Sequence, residues 1–409
     1  MNPLLPIEWI VAVRFLREGR IQTLFIITGT AIGVAVIVFM SALLSGLQAN
    51  LFERVLSTQA HIVLERQRDM PRPQLGPAPG TTVLPTVQIP VQRVVGIDQW
   101  QRIRADLRLR RDIEVVAPVV AGPAFIVRGE TNQAISLIGI EPEVYRQIVP
   151  LPDKLMAGQY RLTTSDMLIG TQLAEDLGAR VGDKLRVSGP QGVAQTLTVA
   201  GLVDLGSRAA NERTVYALLP TAQSLVNLIG SVSRLEVTVA EPFAAEGVAR
   251  ALARDTGLRA LSWVESNQQF FIAINAQNMS SRLIRFFIAL SVAAGITSVL
   301  VVSVVQRSRE IGILRAIGGS RGQVLRVFLF QGGIVGLLGS VLGSGFAALL
   351  VLVWRVAARN PDGSMMFDVN VDMPLVLVAS AIATVTGLVA AVTPALRAAR
   401  LEPVEAIRA

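Results

Sequence analysis

IQTLFIITGTAIGVAVIVFMSALLSGLQANLF, residues 21–52, contains no charged residue. A bilayer core of about 30 Å is crossed by roughly 20 apolar residues in a helix, and the apolar core of this stretch, residues 24–47, is long enough to span with tilt. It is also well beyond the apolar region of a cleavable leader and lies behind a substantial N-terminal segment. Three further runs satisfy the same criterion. Residues 286–305 read FFIALSVAAGITSVLVVSVV. Residues 327–354 are uncharged and carry Gly332, Gly336, Gly339 and Gly343 at four- and three-residue steps, a spacing that lets another helix approach closely. Residues 373–396 form the last. A single run of this kind could be a buried helix of a soluble core, but four together read as spans.

The whole-chain figures follow from those four runs. The 409 residues are 51% hydrophobic and 17% charged, with a net charge of +8, an apolar balance foreign to a soluble globular chain. Arginine placement then sets orientation, because short cytoplasmic segments are enriched in Lys and Arg. Arg14, Arg17 and Arg20 precede the first span. Arg307, Arg309, Arg315, Arg321 and Arg326 lie between the second and third, and Arg397, Arg400 and Arg408 follow the fourth. Set against Glu8, Glu18, Glu310, Glu402 and Glu405, these segments carry most of the basic excess. The excess is therefore a topology signal, and nucleic acid is not an expected partner.

The predicted organisation is a cytoplasmic segment 1–20, a first span 21–47, an extracytoplasmic domain 48–284, a second span 286–305 and a cytoplasmic coupling segment 306–326. A third span 327–354, an external loop 355–372, a fourth span 373–396 and a cytoplasmic tail 397–409 complete it. The fold class is thus integral membrane α-helical, with four transmembrane helices and a large α+β extracytoplasmic domain between the first and second.

Within that domain, strand-like runs occur at 61–64, 117–127, 134–140, 184–187, 195–203, 214–219 and 235–239, and helical patterns at 97–109, 171–177, 221–228 and 242–256. Their uneven alternation predicts α+β subdomains in place of one doubly wound sheet. Six prolines at 71, 73, 77, 79, 85 and 90 forbid a regular helix and most sheet pairing there and leave a loop or a partner-contacting arm. Residues 263–285 are polar yet helix-compatible and run into the second span without Gly or Pro, which predicts a continuous stiff stalk. Phe270, Phe271 and Phe287 recur along it. With Phe39, Met40 and Leu43 of the first span they are candidate cargo contacts, although such residues more often serve packing.

Several chemistries are excluded. A P-loop needs a Lys after its last Gly, and the only lysines, Lys154 and Lys184, each follow Asp. His61 is the sole histidine and no cysteine occurs, which removes paired-His metal motifs and thiol catalysis. Gly318-Gly319-Ser320-Arg321-Gly322 matches G-x-S-x-G, but that motif requires a preceding strand, and here a helical segment precedes it. No catalytic or metal-binding residue and no cofactor are expected in this chain.

The segment QRSREIGILRAIGGSRGQVLRVFLFQ, residues 306–331, reads as a short helix over 308–317 with Ile311, Leu314 and Ile317 on one face, Arg309 and Glu310 beside them, an end at Gly318 and Gly319, and a new helix from about Ser320. Such a helix between two spans can dock in a groove of a soluble partner or lie on lipid.

The R-x-R-E-I-G-I-L-R-A-I-G pattern of residues 307–318, the Gly-rich third span and the ending built on Pro394, Ala395, Ala398, Ala399, Pro403, Ala406 and Ile407 resemble the FtsX-like permeases of ABC transporters. That group includes MacB-type macrolide exporters and lipoprotein-releasing permeases. The segment LIGTQLAEDLGARVGDKLRV at 168–187 is similar to the strand, helix and V-G-D turn of this family's extracytoplasmic domain.

The resemblance implies an inner-membrane protein with both termini cytoplasmic and a periplasmic domain. It also implies a separate ATPase subunit that binds ATP and Mg, and a second permease copy or a related permease. Arg307, Arg309, Glu310, Leu314, Arg315 and Gly318 become the candidate ATPase-coupling residues. Movement of this helix would be transmitted to the outside domain, expelling a lipidated or lipid-like cargo from the outer leaflet or periplasm, with a lipoprotein carrier receiving it. The alternatives are a tripartite efflux pump with a periplasmic adaptor and outer-membrane channel, and a signalling permease that activates a cell-wall hydrolase.

Overall fold

The structure is a computed structural model, and it describes residues 7–67, 95–129, 131–359 and 365–400. The Pro-rich stretch and the C-terminal Pro403, Ala406 and Ile407 fall outside the described residues. The chain divides into two units, one formed by 1–52 with 272–409 and the other by 53–271.

The first unit is helical. Its long helices Arg20–Leu56, Gln268–Gln306, Arg321–Ala357 and Met373–Arg400 are each long and apolar enough to cross a membrane. A further helix, Ile7–Glu18, which the sequence reading left as a plain segment, precedes the first of them. The four glycines of the third spanning helix divide between two partners. A Cβ on Gly332 would meet Gly387 O, and one on Gly336 would come within 2.7 Å of Ala383 O, so both face the fourth helix. A Cβ on Gly339 would lie 2.5 Å from Thr30 Cγ2 and one on Gly343 2.5 Å from Ala31 O, so these face the first. Small residues bring helix backbones together where lipid supplies no hydrophobic drive for association.

Pro394 lies inside the fourth spanning helix. It lacks the N–H that would bond the Ala390 carbonyl four residues earlier, and that carbonyl accepts instead from Thr297 Oγ1 of the second helix at 2.9 Å. In an apolar medium such replacement is what allows a helix-breaking residue at this depth.

The predicted stalk is not one helix. Trp263–Ser266 is a short helix that ends at Asn267, and the second spanning helix begins at Gln268. Asn267 departs from helical geometry at ψ 34°, and its Nδ2 donates to Trp263 O at 2.7 Å. A short amide side chain competes with the helix for its own carbonyls in this way.

Among the described residues the second unit holds ten strands: β1 Ile62–Glu65, β2 Ile113–Arg128, β3 Thr131–Ile140, β4 Leu155–Gly158, β5 Asp166–Gly170, β6 Lys184–Ser188, β7 Ala194–Val203, β8 Thr214–Leu218, β9 Arg234–Val239 and β10 Arg259–Ser262. They form one mixed sheet in the order β10-β1-β9-β2-β3-β8-β5-β7-β4, with β6 joining β2 and β7. That last pairing closes a ring: β2, β3, β8, β5, β7 and β6 each bond to two neighbours in turn. Ile126, Leu137, Met167, Ile169, Val187, Leu197 and Val215, drawn from all six of these strands, are fully buried.

Separate α+β subdomains were the expectation; the described strands instead belong to one sheet, and β2 runs from its open part into the ring. The first half of β2 pairs with β9 in the open part of the sheet, and its second half pairs with β3 and β6 in the ring. On the β2 edge between β9 and β6, Ser233 Oγ accepts from Ala121 N at 2.7 Å and donates to Val119 O at 3.1 Å. This satisfies the Ala121 amide, which lies beyond the end of the β9 pairing at Val119 and before the β6 pairing begins.

Candidate functional site

The residues singled out for coupling lie on and around the linking helix Ser308–Ala316. Arg307 precedes it and is anchored, with only 11% of its side chain exposed. Its guanidinium donates to Glu18 Oε2 at 2.8 Å and to Phe15 O at 2.9 Å, and sits 4.4 Å from the Phe15 ring centroid. Glu310 lies 3.7 Å from the same guanidinium. A planar cation that satisfies a carboxylate, a carbonyl and an aromatic face at once is specific to arginine. Glu18 also accepts from Arg14 Nε at 2.7 Å. The bond from Arg14, followed by that from Arg307, holds the Glu18 carboxyl below the ordinary carboxylate range. Gln22 Nε2 donates to Gln306 Oε1 at 3.0 Å beside this cluster.

The far end of the helix is equally fixed. Gly318 takes φ +106°, Gly319 N donates to Leu314 O at 3.0 Å, and Gly318 N donates to Arg315 O at 3.2 Å. These two bonds form a Schellman cap, for which glycine is the suited residue. The third spanning helix starts at once behind it. Ser320 Oγ accepts from Gln323 N at 3.2 Å while Gln323 Oε1 accepts from Ser320 N at 2.8 Å, a reciprocal capping box. Gly318–Gly322 thus joins two helices and has no strand before it.

The face expected to be apolar is only partly so. Ile311 is buried and Leu314 packs against the same core of spanning-helix residues, whereas Ile317 is 81% exposed and Ile313 is 46% exposed. Ile317 stands just past the helix end, where the three-residue step from Leu314 no longer holds. Arg309 and Glu310 are exposed, and Arg315 is half-buried. The outward surface therefore combines Ile313 and Ile317 with Arg309 and Glu310. Ile317 therefore departs from the face expected to join it to Ile311 and Leu314, and Ile313, not anticipated from the pattern, stands beside it. Glu18 and Phe15 were not anticipated either, their only sequence signal being the four-residue spacing of Arg14 and Glu18.

The candidate cargo residues are divided between the two units, Phe39, Met40, Leu43 and Phe287 in the first and Phe270 and Phe271 in the second. Phe39 and Leu43 pack among buried residues of the helical unit, and Met40 is partly exposed. Phe287 is exposed and stacks edge-on with Phe286. Phe271 lies 5.1 Å from the Trp263 ring centroid and 5.8 Å from Phe270, which makes that pair part of an aromatic cluster. Among the described residues no group of acidic or histidine side chains could hold a metal ion.

Residues 282–403 match the model of the FtsX-like permease C-terminal, and residues 23–255 match that of the MacB-like periplasmic core domain. The chain belongs to the FtsX-like, MacB-type permease family. This permease is 25% identical to the lipoprotein-releasing system transmembrane protein LolC of Neisseria meningitidis serogroup B, over 97% of this chain and 98% of that one. It is 26% identical to LolC of Xylella fastidiosa, over 98% and 99%. With the macrolide export ATP-binding/permease protein MacB of Bdellovibrio bacteriovorus it shares 24% identity over 96% of this chain and 60% of the relative. The periplasmic region of MacB from Actinobacillus actinomycetemcomitans aligns with 53% of the permease and 94% of that chain, at a TM-score of 0.36 and 14% identity.

Proposed function

We propose that this permease is the membrane subunit of an ABC transporter, driven by a separate ATPase subunit that docks on the linking helix Ser308–Ala316. The observation that carries the reading is the exposed pair Ile313 and Ile317, flanked by Arg309 and Glu310 on a helix held at both ends. An apolar pair of this kind fits a groove on a partner, and the charges set its register. The only lysines are Lys154 and Lys184, neither in a Gly-rich loop, so hydrolysis falls to the partner. ATP-driven movement of the helix, relayed through the spanning helices, would expel cargo from the outer leaflet or the periplasm.

Lipidated or lipophilic cargo is the favoured class. Support comes from the lipoprotein-releasing relatives, which this chain matches over 98% and 99% of their own length. The match to the MacB-like core domain supports a second reading as an efflux component working with a periplasmic adaptor, and co-purification of such an adaptor would favour it.

The test of docking is Ile313→Asp combined with Ile317→Asp, assayed for ATPase association and cargo-stimulated hydrolysis in proteoliposomes. The variant is expected to insert normally and to lose at least about tenfold in association, the scale of burying charge at an interface anchor. Wild-type coupling in the double variant would refute the assignment. ATP-dependent release of a lipoprotein to a soluble carrier by the wild-type complex tests the cargo class, and no release from an assembled, hydrolysing complex would refute it.

A further inference from the structure

A cleft of about 590 Å³ in the second unit is lined by Arg54, Gln59, Lys154, Asp204, Leu205 and Tyr216, among others. Its lining sets two cations, Arg54 and Lys154, against one carboxylate, Asp204. Lys154 ends the turn Leu151–Lys154, whose Leu151 is fully buried, and its carbonyl accepts from Asp204 N at 2.9 Å. The backbone under the ammonium is thus fixed, while among the described residues Nζ itself has only the Ser57 carbonyl at 3.4 Å. Asp204 faces the same space, but its Oδ1 is committed to Gly206 N at 2.9 Å and to Asn211 Nδ2 at 2.8 Å. No ion pair within 4.0 Å joins it to Lys154 among the described residues. Burial lowers the Lys154 pKa, against the opposing field of Asp204, so the cation is incompletely compensated. Gln59 Nε2 is buried and has no hydrogen-bond partner among the described residues, an arrangement that is unfavourable unless something else accepts from it. Arg54 stands exposed at the rim.

Three donors with unused capacity line the cleft, two of them cationic, beside one carboxylate of which Oδ1 is already engaged. A carboxylate offers two coplanar oxygens, whereas a phosphate presents its oxygens in tetrahedral directions and accepts from donors that approach from different sides. We propose that this cleft binds a phosphate group, with Lys154 and Gln59 donating to its oxygens and Arg54 closing the rim. Leu205 and Tyr216 supply an apolar wall beside it. Arg54 belongs to the helix Arg20–Leu56, whose earlier residues read as a span, so the phosphate of a lipid headgroup is a source alongside free phosphate.

The two lysines make a direct test available. The full-length permease, reconstituted in nanodiscs of zwitterionic lipid, is treated with an acylating amine reagent, and the modification of Lys154 is read by mass spectrometry against that of the exposed Lys184. One arm titrates inorganic phosphate against chloride at matched ionic strength. The other replaces part of the lipid with phosphatidylglycerol in phosphate-free buffer. Lys154 is expected to be protected in at least one arm with Lys184 unchanged. Protection by inorganic phosphate identifies a soluble anion, and protection by phosphatidylglycerol alone identifies a headgroup. Gln59→Leu is expected to shift the protection midpoint by about fivefold, the loss of one hydrogen bond. A Lys154 to Lys184 ratio that stays constant in both arms, or protection that Gln59→Leu leaves unaltered, overturns the proposal.

Discussion

At Ala390 the carbonyl deprived of its helical donor by Pro394 is served by one hydroxyl, Thr297 Oγ1. Thr297→Val keeps the shape and removes the donor, leaving a buried carbonyl unpaired. It is expected to destabilise the helical unit by about 1 kcal/mol, the scale of single hydrogen bonds between membrane helices, measured as a lower unfolding midpoint in mixed micelles. His61 supplies a second test at this scale. Val239 N donates to its Nδ1 at 3.1 Å, and burial pushes its pKa below the ordinary histidine value. Because the folded state disfavours the charged ring, the stabilisation is complete above the unfolded pKa of about 6.5 and is lost as pH falls through the lowered folded value. Exchange of the Val239 amide in the full chain, corrected for its intrinsic pH dependence, is expected to accelerate over that range, and His61→Gln is expected to abolish the dependence. Neither the Thr297 contact nor the Val239 contact was legible in the sequence, since each joins residues far apart in the chain.

At the scale of the element, the linking helix shows what local chemistry discloses. Its end at Gly318 and Gly319 and the restart at Ser320 are written in residue types, because a left-handed cap requires glycine and an N-cap requires a short hydroxyl. Its outward face is not, because which apolar residues point away depends on what packs from the other side. Gly318→Ala tests the cap. A Cβ there meets nothing within 4 Å, so the penalty is conformational and comes to roughly 1–2 kcal/mol at φ +106°. Faster hydrogen exchange across the last turn of the helix is expected, together with weaker coupling of the ATPase to cargo. Strands showed the same division. β2, β3, β7 and β9 were visible through their apolar runs, while β4 and β10, four residues each, carry too little pattern to separate from loop.

At the scale of the molecule, the absence of charge over four long runs disclosed the spans, and the arginines between them predict their orientation. The chain contains no cysteine, so single introduced thiols report topology without background. An impermeant thiol reagent is expected to label Ser165→Cys on intact spheroplasts and to label Ala316→Cys only after the membrane is permeabilised. The reverse pattern would invert the arrangement. The joining of two sheet regions through β2 was beyond the sequence, because one long apolar run does not show that its halves have different partners.

That arrangement also dictates an order of events during synthesis. Among the described residues β1 pairs only with β9 and β10, and residues 113–118 of β2 pair only with β9. The earliest strand of this unit to leave the ribosome therefore has no partner until the last ones follow. The six-stranded ring contains only strands made between those two moments, and it can close while β1 is still waiting. Its sequence separation makes the open part of the sheet the slow step of folding, and the stretch of chain carrying β1 is the one most in need of protection while the rest is being exported.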